Sequence, residues 1–240
     1  MKTYYLHKLF DFVPRSAVTR NIYKFARPDR YRMIEESRAL APQNGTNITP
    51  FFQTKTIFIH IPKTAGISVV LSLYGGSISM AHTRLRMFRL LFTETEFDSF
   101  YKFAFVRDPL DRLLSAYGFL KQGGITPYDR EFADTHLSRY NDFSSFVRGW
   151  LSRESVYTYV HFVPQHDFVT IRGKLGVDFI GRFESLNEDY EHIRKATGIG
   201  KPLEKFNARI TKEQPQLDSD VMKIIENVYE KDYELFGYRP

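Results

Sequence analysis

The 240-residue chain has no cysteine, a single tryptophan and no apolar run approaching the ~18 residues that a membrane-spanning helix needs. Without cysteine there are no disulfides, thiolate metal sites or cysteine nucleophiles, which suits a cytoplasmic setting. Residues 1–8 lack an uninterrupted apolar stretch, so they are not read as a secretory signal. What the chain has in quantity is aromatic: 22 Phe and 15 Tyr, within a composition of 42% hydrophobic and 26% charged residues. That balance belongs to a folded globular protein with an aromatic-rich core, of a length that suits one sizeable domain.

The net charge of +6 lies wholly in residues 1–32, where eight basic groups face only Asp11 and Asp29; residues 33–240 balance. Residues 1–50 are read as a basic arm with a turn-rich linker at 41–47. Such an arm suits peripheral contact with an anionic membrane or polymer, the alternative being a solvated helical lead-in. A nucleic-acid binder working through the arm would leave the motifs described below unexplained, so no nucleic-acid partner is expected.

Residues 51–240 alternate strand and helix patterns. Apolar, β-rich runs at 56–61, 102–106 and 177–183, with a weaker one at 77–81, predict strands. Helices are predicted over 68–74, closed by Gly75-Gly76, and from Pro109 to about Leu120. Ser185-Leu186-Asn187-Glu188 has capping-box spacing and opens a helix ending near Gly198. Val221, Ile224, Ile225 and Val228 mark a last helix, stopped by Gly237. Residues 123–165 read as helical and polar-aromatic. The pattern predicts an α/β fold, a P-loop-like parallel sheet flanked by helices in a single domain with a helical insertion, and ligands beyond the carboxyl ends of the strands.

The most informative segment is Ile59-His60-Ile61-Pro62-Lys63-Thr64-Ala65-Gly66-Ile67-Ser68. A buried strand stops, turns through small residues and enters a helix whose first N–H groups have no partner within the helix. Ala65 and Gly66 let an anion approach the backbone, Thr64 and Ser68 offer hydroxyls, and Lys63 supplies a mobile positive charge. Together these cradle a phosphate or sulfate. The segment is not a Walker A loop, because Lys63 precedes the only glycine. Taken alone, it also reads as an ordinary βα turn with an exposed lysine.

A second strand end repeats the logic. Arg107 stands where a buried strand emerges, Asp108 is placed as N-cap, Pro109 and Asp111 occupy the first and third helical positions, and Ser115 lies two turns in. A guanidinium at a helix entrance suits a second phosphate, with Ser115 completing the shell; a salt bridge is the alternative for Arg107.

Pro62-Lys63-Thr64-Ala65-Gly66-Ile67-Ser68, followed some forty residues later by Arg107-Asp108-Pro109 and Ser115, resembles the two nucleotide motifs of the carbohydrate sulfotransferases that use 3′-phosphoadenosine 5′-phosphosulfate. Weaker similarity extends to Phe179-Ile180-Gly181-Arg182-Phe183-Glu184 and to Asp232-Tyr233-Glu234-Leu235-Phe236-Gly237-Tyr238. The resemblance implies that Lys63, Thr64, Ala65, Gly66, Ile67 and Ser68 hold the 5′-phosphosulfate, and Arg107 and Ser115 the 3′-phosphate. Family members often have Thr where this chain has Ile67, a position that offers its backbone N–H. Eukaryotic members usually carry a membrane anchor and disulfides; the soluble bacterial members are the closer likeness.

The implied reaction moves a sulfuryl group in line to a hydroxyl, with a glycan as the expected acceptor. Lys63 meets the charge growing on the leaving oxygen, and no metal is expected. The acceptor needs a base. His60 reads as structural inside a buried strand, His7 lies in the arm and His192 on an amphipathic helix. His82 is placed best, just past the weak strand, and family members tend to have a histidine in a like segment, His82-Thr83-Arg84-Leu85-Arg86. His161 and His166, flanking Pro164-Gln165, are held in reserve. On the acceptor side, Arg130, Arg139, Arg148 and Arg153 interleave with Tyr128, Tyr140, Trp150, Tyr157 and Tyr159, a pattern suited to an anionic glycan or simply to a packed helical lid. A nucleotide or small-molecule kinase on a degenerate phosphate-binding loop remains the alternative function.

Overall fold

Three short apolar runs build the sheet of the computed structural model, which describes residues 11–40, 48–76, 78, 81–203 and 217–239. Strands β1 (Thr56–Ile59), β2 (Tyr101–Val106) and β5 (Phe179–Arg182) are parallel, in the order β1-β2-β5. Ile59 stands opposite Ala104 and Val106 opposite Arg182. The expected α/β fold with a parallel sheet is present. β3 (Thr170–Ile171) and β4 (Lys174–Leu175) form a separate antiparallel pair. The weak strand expected at 77–81 falls mostly outside the described residues, and Ala81 and His82 form a turn.

By internal contacts the described residues of 2–106 and 167–207 form one compact unit, and those of 107–166 and 208–240 another. In the first, the sheet is joined by α1 (Ala17–Ala26), α2 (Pro28–Arg38), α3 (Thr49–Thr54), α4 (Gly66–Tyr74), α5 (Leu85–Leu91), α6 (Glu94–Ser99) and α11 (Leu186–Thr197). Phe58, Phe103 and Phe105 are buried; the rings of Phe58 and Phe103 stack at 5.1 Å. Each such ring removed from water contributes about 1.5–3 kcal/mol. The arm is tied to this unit by ion pairs from Arg15 to Asp98 (2.8 Å) and Arg38 to Glu96 (2.6 Å). On α1, Val18, Ile22 and Phe25 are exposed at 67%, 65% and 94%, an apolar stripe with a four- and three-residue spacing.

The second unit is helical, as expected for 123–165: α7 (Pro109–Lys121), α8 (Pro127–Phe132) running into a π-helical turn (Ala133–Leu137), α9 (Phe143–Trp150) and α12 (Ser219–Phe236). The short α10 (His166–Val169) follows. Their core gathers Leu113, Leu120, Phe146, Phe162, Ile225 and Tyr229. α12 closes on Gly237 in the left-handed region (φ 66°), the stop its position announces. The capping box expected at Ser185 does not form. Ser185 donates its hydroxyl to Asp189 (2.7 Å), whose carboxylate also accepts the Arg182 N–H (2.7 Å), so the helix start is organised by Asp189 rather than Glu188.

Candidate active site

β1 ends at Ile59, two residues earlier than the apolar pattern suggests, because the strand's pairing with β2 stops there. His60 is therefore not inside a strand. It is half-buried at the start of the turn, stacked on Phe58 at 5.6 Å and 13°. Its imidazole lies directly against Gly66, where a Cβ would fall 1.9 Å from His60 Cδ2. Gly66 is required for that close approach, and it starts α4. Gly66→Ala is expected to displace the His60 ring and to destabilise the protein by about 1–3 kcal/mol, read as a lower urea midpoint; an unchanged midpoint would reject this packing.

The backbone of the turn itself is strained. Lys63 and Ala65 adopt positive φ (69° and 63°), flanking Thr64, and Ala65 is the N-cap of α4. Left-handed residues alternating with right-handed ones turn successive N–H groups to one side, an anion-binding concavity, and the first amides of α4 add to it. Non-glycine residues in this region cost about 1–3 kcal/mol each and cluster at functional sites. Of six such residues among those described, Lys63, Ala65 and His82 belong to this one locality.

Thr64 is fully buried, and its Oγ1 donates to the Ile61 carbonyl at 2.9 Å. That hydroxyl proton braces the turn from inside rather than being offered to a ligand. Ser68 is buried at the first turn of α4, and the Ile67 side chain is 60% exposed, leaving its backbone N–H as the group set at the helix start.

His82 is brought to the same place from 22 residues away. Its Nδ1 lies 3.0 Å from the His60 carbonyl oxygen, and the two rings are 4.6 Å apart. A carbonyl oxygen only accepts, so Nδ1 is the donor in this contact. The segment after His82 is pinned by Asp167, which accepts from Arg84 Nε (2.6 Å) and Arg86 (2.5 Å). Burial pushes the Asp167 carboxyl up, but the two guanidiniums outweigh it and hold it below the ordinary carboxylate range.

At the second motif the capping reading is realised in detail. Asp108 Oδ1 accepts from the N–H groups of Leu110 (2.9 Å) and Asp111 (3.0 Å), with Pro109 at the first helical position. Arg107 is buried, and its peptide is gripped on both sides by the Gln165 amide: Arg107 N–H to Oε1 at 2.9 Å, and Nε2 to the Arg107 carbonyl at 2.7 Å. Ser115 is half-buried in α7. Gln165 carries no local signal in the sequence, because its partner lies 58 residues away.

The reserve histidines are engaged by carboxylates. His161 Nε2 lies 3.4 Å from Asp129, and His166 Nδ1 lies 2.6 Å from the fully buried Asp232. His192 stacks on Phe179 at 4.4 Å, and His7 falls outside the described residues. Much of the aromatic–arginine pattern at 123–165 is internal. Trp150 stacks on Phe146 (5.1 Å) and Tyr159 on Phe132 (4.2 Å). Arg148 pairs with Asp218, and Arg153 with Glu230 at 2.6 Å. Arg130 lines an open cavity of about 510 Å³ together with Glu131 and Asp134, so carboxylates outnumber cations there. Among the described residues, no group of three or more His, Asp or Glu side chains is placed to hold a metal ion, and no helix is long and apolar enough to cross a membrane.

The chain that carries this strand-to-helix turn belongs to the sulfotransferase family, whose model matches residues 52–239. Carbohydrate sulfotransferase 14 of Danio rerio is 28% identical over 164 residues, 58% of this chain and 44% of that protein. Carbohydrate sulfotransferase 10 of Xenopus laevis is 23% identical over 185 residues, covering 65% and 52% respectively. An uncharacterized protein of Archaeoglobus fulgidus is 31% identical over 109 residues, 45% of this chain and 76% of its own. The chain thus spans about half the length of the two carbohydrate sulfotransferases. The kinase alternative has no support among these relatives, and no solved structure gives a significant match.

Proposed function

We propose that the protein is a sulfotransferase that moves a sulfuryl group from 3′-phosphoadenosine 5′-phosphosulfate to a carbohydrate hydroxyl. The observation that supports this is the turn at 63–68, where Lys63 and Ala65 have positive φ just before α4 begins, with His82 held beside His60. The donor supplies an activated sulfuryl group on a good leaving group. The amides of Ala65, Gly66, Ile67 and Ser68 hold its 5′-phosphosulfate, and Arg107 and Ser115 take its 3′-phosphate. As the acceptor oxygen bonds to sulfur, its proton passes to His82 Nε2. The sulfur–oxygen bond to the 5′-phosphate breaks, and its electron pair stays on the bridging oxygen, which Lys63 stabilises. Sulfated acceptor and adenosine 3′,5′-bisphosphate leave, with the proton on His82. No step calls for a metal. A glycan acceptor is supported by the names of the two vertebrate relatives. The test is incubation with radiolabelled sulfate donor and a panel of glycans and small alcohols, which should give a labelled glycan only with Lys63 intact; label on no acceptor would reject the reading.

The arm is assigned to an anionic membrane surface. The exposed stripe Val18, Ile22 and Phe25 on α1 accompanies Arg20, Lys24, Arg27 and Arg30, the pattern of a helix lying in the interface. Co-sedimentation with phosphatidylglycerol vesicles but not with phosphatidylcholine vesicles is expected, and should be lost in Ile22→Glu/Phe25→Glu. Equal sedimentation of the two proteins would discard the assignment.

A further inference from the structure

We infer that Gln165 and Asp232 are positioning residues for Arg107. The inference rests on the assignment of Arg107 to the 3′-phosphate. The starting observation is an irregular segment, residues 161–166, held by side chains that are costly to bury. Arg112, fully buried, donates to the carbonyls of His161 (3.0 Å) and Val163 (2.9 Å). Tyr229, also fully buried, donates its hydroxyl to the Phe162 carbonyl at 2.9 Å. Asp232 has no exposed surface. Its Oδ2 accepts the Gln165 N–H at 2.7 Å, and its Oδ1 accepts the His166 N–H at 2.8 Å and meets His166 Nδ1 at 2.6 Å.

A carboxylate taken out of water is tolerated only with such a full set of donors. A hydrophobic side chain would fill the space without that cost, so the charge has a positional use. Its output is Gln165. With its backbone anchored at Asp232, the Gln165 side-chain amide makes both hydrogen bonds to the Arg107 peptide, at 2.9 and 2.7 Å. Asp108 fixes the next residue as the cap of α7. A guanidinium on a long side chain recognises phosphate well only if its stem leaves the backbone in a fixed direction. Arg107 is 6% exposed, and the peptide from which its side chain leaves is the one that Gln165 holds. Asp232 opens the closing stretch Asp232-Tyr233-Glu234-Leu235-Phe236-Gly237-Tyr238, which thereby acquires a role in nucleotide recognition.

The test is calorimetry with two probes, adenosine 3′,5′-bisphosphate and 5′-AMP, which lacks the 3′-phosphate. Arg107→Ala should weaken the bisphosphate by at least about thirtyfold and leave 5′-AMP unchanged; unchanged affinity for both would remove the assignment of Arg107 and this inference with it. Gln165→Met, which keeps volume and loses both bonds, should weaken the bisphosphate by about tenfold, the scale of one or two net hydrogen bonds, with 5′-AMP unchanged. Asp232→Asn should act in the same direction. If Arg107→Ala shows the selective loss while folded Gln165→Met binds both probes as the wild type does, or loses both equally, the positioning role is wrong and the Arg107 assignment stands. Should Gln165→Met fail to fold, Asp232→Asn decides by the same two outcomes.

Discussion

Replacing His82 by asparagine is expected to reduce turnover by about 10²–10⁴-fold, the usual worth of a positioned general base, with little change in affinity for adenosine 3′,5′-bisphosphate. Asparagine is the informative choice. His82 has φ 61° and bonds through Nδ1 to the His60 carbonyl. Asparagine tolerates that backbone region, and its amide can donate to the same oxygen. The substitution therefore keeps the bond that holds the turn while removing the imidazole and its Nε2 lone pair. Wild-type turnover in His82→Asn would take the residue out of the chemistry and return attention to His161 and His166, each of which faces a carboxylate.

Lys63→Ala is expected to lower the rate by about 10²–10³-fold, the cost of one preorganised donor to charge that develops in the transition state. Strain offers a control. Lys63 has φ 69°, a conformation glycine adopts freely. Lys63→Gly should therefore be no less stable than Lys63→Ala, yet equally inactive. If Lys63→Gly retained the activity that Lys63→Ala loses, the lysine would be serving backbone geometry and not the leaving oxygen.

The sequence announces some of this architecture and hides the rest for identifiable reasons. β1 and β2 are legible because each is buried on both faces, so the runs are almost continuously apolar. The entry of α7 is legible because Asp108, Pro109 and Asp111 obey capping rules that act within four residues. His60 misleads: an apolar neighbour on each side makes it look like strand interior, whereas the ladder with β2 has ended at Ile59. α5 goes unmarked because Arg86, only 1% exposed, is buried among its apolar residues by Asp167, a partner 81 residues away. Gln165 and Asp232 give no local signal, since each acts through contacts 58 to 67 residues distant. Thr64 reads as a ligand hydroxyl in the sequence, whereas the contact that the fold gives its Oγ1 is with the Ile61 carbonyl.

The most direct measurement is the stoichiometry of a single reaction with donor labelled in its sulfuryl group and a carbohydrate acceptor, following adenosine 3′,5′-bisphosphate and sulfated sugar together. One bisphosphate should appear for each sulfated sugar, at a rate that collapses in Lys63→Ala and His82→Asn. Donor left intact with every acceptor, or bisphosphate released together with free sulfate at a rate indifferent to both substitutions, would contradict transfer at this turn.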